Sequence, residues 1–125
     1  MHALIVDDSR AIRSVIARML RQAGWTVSEA GHGQEALEVL ASLDDAPDIA
    51  LVDWNMPIMD GYALLQALRS NPGYEQMQIM MVTTETEIER MQLALAAGAN
   101  EYLMKPFTQE ALAEKLGILG LDLAA

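Results

Sequence analysis

The 125-residue chain contains no cysteine. That removes disulfide frameworks and thiolate metal sites from consideration and fits a reducing compartment. Long apolar runs are also missing. The N-terminus reads MHALIVDDSR, whose apolar stretch is only Ala3 to Val6 with no basic lead-in, so it does not read as a secretory leader. No stretch approaches the roughly 18 apolar residues of a membrane span. Basic residues are scarce: 8 Lys and Arg against 18 Asp and Glu leave a net charge of −10. Such a balance argues against a broad surface for nucleic-acid phosphates or anionic membrane. The expectation is a soluble, cytoplasmic monomer that binds neither nucleic acid nor membrane. No linker, repeat or low-complexity segment interrupts the chain, so one domain over residues 1–125 is the natural count. DDAPD (44–48) reads as an acidic loop, and the final GILGLDLAA is too short for an effector domain.

What is present is patterned. At 52% hydrophobic, the chain can bury a real core. ALIV (3–6) reads as a buried strand; Ile12, Val15, Ile16, Met19 and Leu20 then recur at helical spacing until Gly24 stops the helix. TVSEA (26–30) is a second, alternating strand, followed by a short helix over 34–43. DIALVD (48–53) is a third strand, apolar on both faces until its last residue. Residues 61–70 are helical and NPG (71–73) ends them. IMMVT (79–83), a helix over 86–97, EYLM (101–104) and a helix over 109–119 capped by Thr108 complete the pattern. Five β-α units with continuous apolar strands predict an α/β fold, a doubly wound five-stranded parallel sheet with five helices. Arg10, Arg13, Arg18 and Arg21 all fall in the first helix, as either a solvated face or a docking face for an acidic partner.

In open α/β sheets, ligands bind at the carboxyl ends of the strands. Asp7 and Asp8 follow the first strand, Asp53 and then Asn55 the third, Thr83, Thr84 and Glu85 the fourth, and Lys105 and Pro106 the fifth. The flavodoxin-like order 2-1-3-4-5 would make these strand ends neighbours. Three carboxylates packed together raise one another's pKa, and a hard divalent cation such as Mg²⁺ relieves that. A lysine adds a point charge for a phosphate oxygen, and a threonine adds a hydroxyl donor. A carboxylate nucleophile in that company points to phosphoryl transfer with Asp as covalent acceptor. Singly, each piece is ordinary: Asp8 or Ser9 can simply cap a helix, and a Lys-Pro pair is usually a loop. Their joint placement at the ends of four strands carries the reading.

The segments VDDSRAIR (6–13), LVDWNMPIMDG (51–61), VTTE (82–85), AGANEYLMKPFT (97–108) and LAEKLG (112–117) together resemble the receiver domain of two-component response regulators. Within that family they are most similar to the single-domain, CheY-like chemotaxis regulators. The resemblance spans essentially the whole chain. It implies that Asp53 is the phosphoacceptor and that Asp7, Asp8, Asp53 and the backbone carbonyl of Asn55 hold Mg²⁺ or Mn²⁺. It further implies that Thr83 and Lys105 contact the phosphoryl group and that Tyr102 is a rotameric switch coupled to Thr83. Asn55 and Glu85 would tune dephosphorylation, and the bond before Pro106 would be cis. The implied partners are a CheA-like histidine kinase and a downstream protein reading the helix 4–strand 5–helix 5 face, with the flagellar switch among the candidates. One departure bears on that last partner. Relatives of this type commonly carry lysines early in helix 4; here that stretch is Thr86, Glu87, Ile88, Glu89 and Arg90, more acidic and partly apolar.

Other readings are weaker. A haloacid-dehalogenase-type enzyme needs a second Asp two residues after the nucleophile, where this chain has Asn55. An FMN-binding flavodoxin needs hydroxyls and amides after its first strand, where this chain has DDSR. An inactive pseudo-receiver would usually have lost a site residue. A receiver in another phosphorelay, or one cut from a longer regulator, stays open.

Overall fold

The computed structural model describes residues 1–84 and 88–121, without the side chain of Ile88. Among these residues five strands alternate with five helices: β1 (His2–Val6), α1 (Arg10–Gln22), β2 (Thr26–Ala30), α2 (Gly33–Ser42), β3 (Ile49–Asp53), α3 (Gly61–Arg69), β4 (Gln78–Thr83), α4 (Ile88–Ala96), β5 (Glu101–Met104) and α5 (Gln109–Ile118). The sheet is parallel throughout, in the order β2-β1-β3-β4-β5. Fold class and strand order are those the sequence predicts. Residues 86 and 87, the expected start of the fourth helix, lie outside the described residues. A single 3-10 turn at Pro72–Tyr74 occupies the segment expected only to stop α3.

Strand alternation sorts the apolar side chains into two layers. Leu4, Val6, Ala50, Val52, Ile79 and Met81 face one way and pack against Leu40 of α2, Leu64, Leu65 and Leu68 of α3, and Ala94 of α4. Ala3, Ile5, Ile49, Leu51, Met80 and Val82 face the other way, against Ile16 and Leu20 of α1 and Leu112 and Leu116 of α5. Central β3 is buried along its whole length, Asp53 included. Each fully buried Leu, Ile or Met contributes about 1.5–3 kcal/mol, so both layers hold the strand ends firmly in register.

Helix starts are fixed by the residues that precede them. Ser9 Oγ accepts from the Ile12 amide, His32 Nδ1 from Glu35, Asp60 Oδ1 from Ala63 and Thr108 Oγ1 from Ala111. Arg69 ties two loops at the amino edge of the sheet: its guanidinium donates to the carbonyls of Gly98 and Tyr74 and to Asn100 Oδ1. Gly98 has φ +111°, and a Cβ there would lie 2.7 Å from Arg69 Cγ, so no other residue fits this turn. No described helix is long and apolar enough to cross a membrane.

Candidate functional site

The carboxyl ends of β1, β3, β4 and β5 converge as expected, and each brings its side chain in a fixed backbone. Asp7 is 2% exposed. Its amide donates to the Ala30 carbonyl at 3.1 Å, its carbonyl accepts from Arg13 Nη1 at 2.5 Å, and its Oδ1 accepts from the Ser9 amide at 2.8 Å. Asp53 closes β3 and is 7% exposed. The turn behind it is pinned by Trp54, whose amide donates to Val82 O and whose carbonyl accepts from Gly61. A Cβ on Gly61 would sit 2.2 Å from the Asp53 carbonyl oxygen, so only glycine lets α3 begin this close to the acceptor strand. Thr83 ends β4, buried, and its carbonyl accepts from the Lys105 amide at 2.8 Å. The Lys105–Pro106 bond is cis, as the resemblance implied.

The carboxylate oxygens of Asp7, Asp8 and Asp53 lie within 4.8 Å of one another, two buried and one exposed. Lys105 Nζ is 2.6 Å from Asp7 Oδ2 and 3.4 Å from Asp53 Oδ1. One ammonium therefore pairs with two of the three clustered carboxylates, and it stands closer to Asp7 than to Asp53. The Asp53 carboxyl is pushed up from 3.8 to about 6, first by burial and then by Asp7, with Lys105 pulling it back and Asp8 adding a little. Three hard oxygen donors with an uncompensated charge, one of them open to water, suit a hard divalent cation that keeps part of its hydration shell. The residues present thus fit Mg²⁺ or Mn²⁺. Asn55 lies in the exposed turn after β3, beside this cluster in sequence.

Tyr102 sits on β5, half-buried, and packs against the layer that contains Met81. Met81 is its register partner, and Thr83, two residues on, lies on the same face of the sheet. Glu85 lies outside the described residues. Trp54 is buried against its neighbours: its ring stacks on Tyr62 with centroids 5.4 Å apart, and the Arg90 guanidinium lies 5.2 Å from its centroid.

One expectation needs correction. The four arginines of α1 do not act alike. Arg10 and Arg18 are exposed, whereas Arg13 turns inward, holding the Asp7 carbonyl and pairing with Glu29 at 3.4 Å. It positions the site, and its spacing from Asp7 carried no distinguishing signal. Sequence reasoning also missed the contact of Lys115 with Glu101 at 3.1 Å and with the Tyr102 ring at 4.5 Å. Beside Lys105, an apolar groove of about 480 Å³ runs between α1 and the start of the last loop, lined by Ile12, Val15, Ile16, Met19, Pro106 and Phe107 among others.

Comparison with known proteins identifies the family and the fold. The family model of the response regulator receiver domain matches residues 3–117. A chemotaxis protein CheY homolog of Campylobacter jejuni is 44% identical over 117 residues, covering 93% of this chain and 89% of that protein. CheY1 of Helicobacter pylori is 41% identical over 120 residues, covering 95% and 96%. The crystallised chemotaxis protein CheY4 of Vibrio cholerae superposes with a TM-score of 0.84 at 38% identity, covering 95% of each chain.

Proposed function

The chain belongs to the response regulator receiver domain family, alongside the CheY-like chemotaxis regulators, and from that premise we propose that it is a phosphorylation-dependent switch of a two-component system with Asp53 as phosphoacceptor. One observation carries this reading: a buried carboxylate ends the central strand, 3.4 Å from a lysine and within 4.8 Å of two further carboxylates. The signalling unit is one receiver domain over residues 1–125, acting as a monomer in the cytoplasm and not as a turnover enzyme.

A CheA-like histidine kinase presents a phosphohistidine. An Asp53 carboxylate oxygen attacks the phosphorus; the new P–O bond forms as the P–N bond breaks, and the electron pair leaves with the imidazole. With its pKa near 6, Asp53 is largely ionised at neutral pH and ready to attack. The rigid strand end supplies orientation, so the nucleophile need not be ordered at the moment of reaction. Lys105 turns from Asp53 to a phosphoryl oxygen, and the Thr83 hydroxyl donates to another. Asp7, Asp8, Asp53 and the Asn55 carbonyl would hold a divalent cation, which when bound would supply positive charge against the phosphoryl oxygens.

Thr83 then moves toward the phosphoryl group and Tyr102 turns inward behind it, a coupling supported by their shared face of the sheet. The α4–β5–α5 face changes with them, and a downstream protein, the flagellar switch among those to test, reads the shifted population. Attack by water on the phosphorus breaks its bond to the Asp53 oxygen, releases inorganic phosphate and the free carboxylate, and so resets the switch at a rate tuned by Asn55 and Glu85. Intact mass after incubation with acetyl phosphate and Mg²⁺ tests the reading. One added phosphoryl group on wild type, absent from Asp53→Asn and absent with EDTA, is expected. An adduct that survives in Asp53→Asn would place the acceptor elsewhere.

A further inference from the structure

The output end of the proposed switch carries a contact that the phosphoryl chemistry does not use. Glu101, Tyr102 and Lys115 form a closed set. Lys115 Nζ is 3.1 Å from Glu101 Oε1 and 4.5 Å from the centroid of the Tyr102 ring. The same Glu101 Oε1 accepts from the Tyr102 amide at 3.0 Å. Both charged side chains are largely covered, at 26% and 16% exposure. A lysine on a helix surface ordinarily samples many rotamers. Here Glu101 fixes the ammonium relative to the backbone of the very residue whose ring it touches.

We propose that the Glu101–Lys115 pair is a clip on Tyr102, which holds the ring toward α5 and so sets how readily the switch turns. The proposal rests on the reading of Tyr102 as the switch. Its direction follows from the edge of the sheet. β5 is the edge strand and Thr83 lies one strand inward, on the same face as Tyr102. α5 packs on the opposite face, on the layer of Ala3, Ile5 and Leu103, so Lys115 reaches the Tyr102 ring around the open edge of β5. A ring that turns inward toward Thr83 therefore leaves the ammonium, and the cation–π contact is made in only one of the two orientations. A contact made in one state alone shifts the equilibrium by its own strength. Lys115 and Glu101 are thus positioning residues, acting through Tyr102 on the affinity of the distant acceptor site for its phosphoryl group.

The test uses beryllofluoride with Mg²⁺, a phosphoryl mimic that needs no turnover, on the full chain labelled with 3-fluorotyrosine. Tyr102 is assigned among Tyr62, Tyr74 and Tyr102 by Tyr102→Phe. In wild type its fluorine resonance should move on adding beryllofluoride. Lys115→Met should bind beryllofluoride about threefold more tightly, the size expected for one partly exposed cation–π contact, and its resonance before addition should already lie toward the bound position. Glu101→Gln should move both readouts the same way by less, and Lys115→Arg should restore wild-type behaviour. In a Tyr102→Leu background, Lys115→Met should leave the affinity unchanged. Unchanged or weaker binding by Lys115→Met, or a gain that persists without the Tyr102 ring, would overturn the clip while leaving the switch intact. A wild-type Tyr102 resonance that does not move would instead overturn the switch reading, and the clip with it.

Discussion

The chain has only two lysines, Lys105 and Lys115, and they sit on either side of one loop in opposite electrostatic settings. Lys105 reaches into a cluster of two buried carboxylates and one exposed carboxylate, and stands nearer Asp7 than Asp53. Lys115 meets the single carboxylate of Glu101 and lies over an aromatic ring. The first setting is overmatched, and its shortfall shows as an Asp53 carboxyl raised to about 6. The second is balanced one to one. An overmatched site is costly to fold, yet suited to the cation and the phosphoryl group proposed for it. A balanced pair near the surface costs little and can shift an equilibrium only slightly. On the proposed reading, the chemistry sits where charge is unbalanced, and the fine adjustment sits where it is not.

Breaking the contrast at Lys105 should have the largest effect. Lys105→Met leaves Asp7 and Asp53 buried without their ammonium, and chemical denaturation at neutral pH without divalent cations should show a loss of about 3 kcal/mol. A loss below about 1 kcal/mol would mean that Lys105 compensates little of that charge.

Removing the excess negative charge should do the reverse. The folded Asp53 carboxyl holds its proton more tightly than the usual 3.8, so its ionisation costs stability, fully above about pH 6 and not at all below pH 3.8. Without divalent cations, the Asp53 contribution to stability should fall as pH rises through that window. Asp53→Asn should abolish that slope and raise stability at neutral pH by about 2–3 kcal/mol, because each tenfold change in proton affinity is worth about 1.4 kcal/mol. Denaturation curves of both proteins across the window read this directly.

Supplying the missing positive charge should sharpen the contrast more gently. Mg²⁺ at about ten times its dissociation constant should stabilise wild type by about 1.4 kcal/mol. Thermal melts should show a smaller gain for Asp53→Asn, which has lost one donor charge. The smallest effect belongs to the balanced pair: Lys115→Met should change global stability by less than about 1 kcal/mol, although by our proposal it moves the switch.

The sequence made one of these two regions legible and hid the other. The acidic cluster was readable because strand ends are local features: an apolar run stops, and a carboxylate, a hydroxyl or a lysine follows. The parallel order then brings Asp7, Asp53, Thr83 and Lys105 together without further information. The helix positions followed from the same alternation, and the strand order 2-1-3-4-5 from the flavodoxin-like arrangement of such units. The clip was not readable, because Glu101 and Lys115 are 14 residues apart on different elements, and nothing in either segment marks the pairing. Arg13 was hidden for a related reason. Helical periodicity gives the face of α1 it occupies, but the choice between solvent and the Asp7 carbonyl depends on how α1 sits over β1. The link from Arg69 to Gly98 and Asn100 spans 29 and 31 residues and is equally a product of packing.

The most direct measurement of the charge imbalance is a carbon-13 NMR titration of the Asp53 carboxyl, with and without Mg²⁺. A midpoint near 6 is expected without the cation, with a marked fall when Mg²⁺ is added, as positive charge arrives at the overmatched site. A carboxyl that titrates at the ordinary 3.8 and ignores Mg²⁺ would contradict this, because Asp53 would then be neither undercompensated nor in contact with the cation.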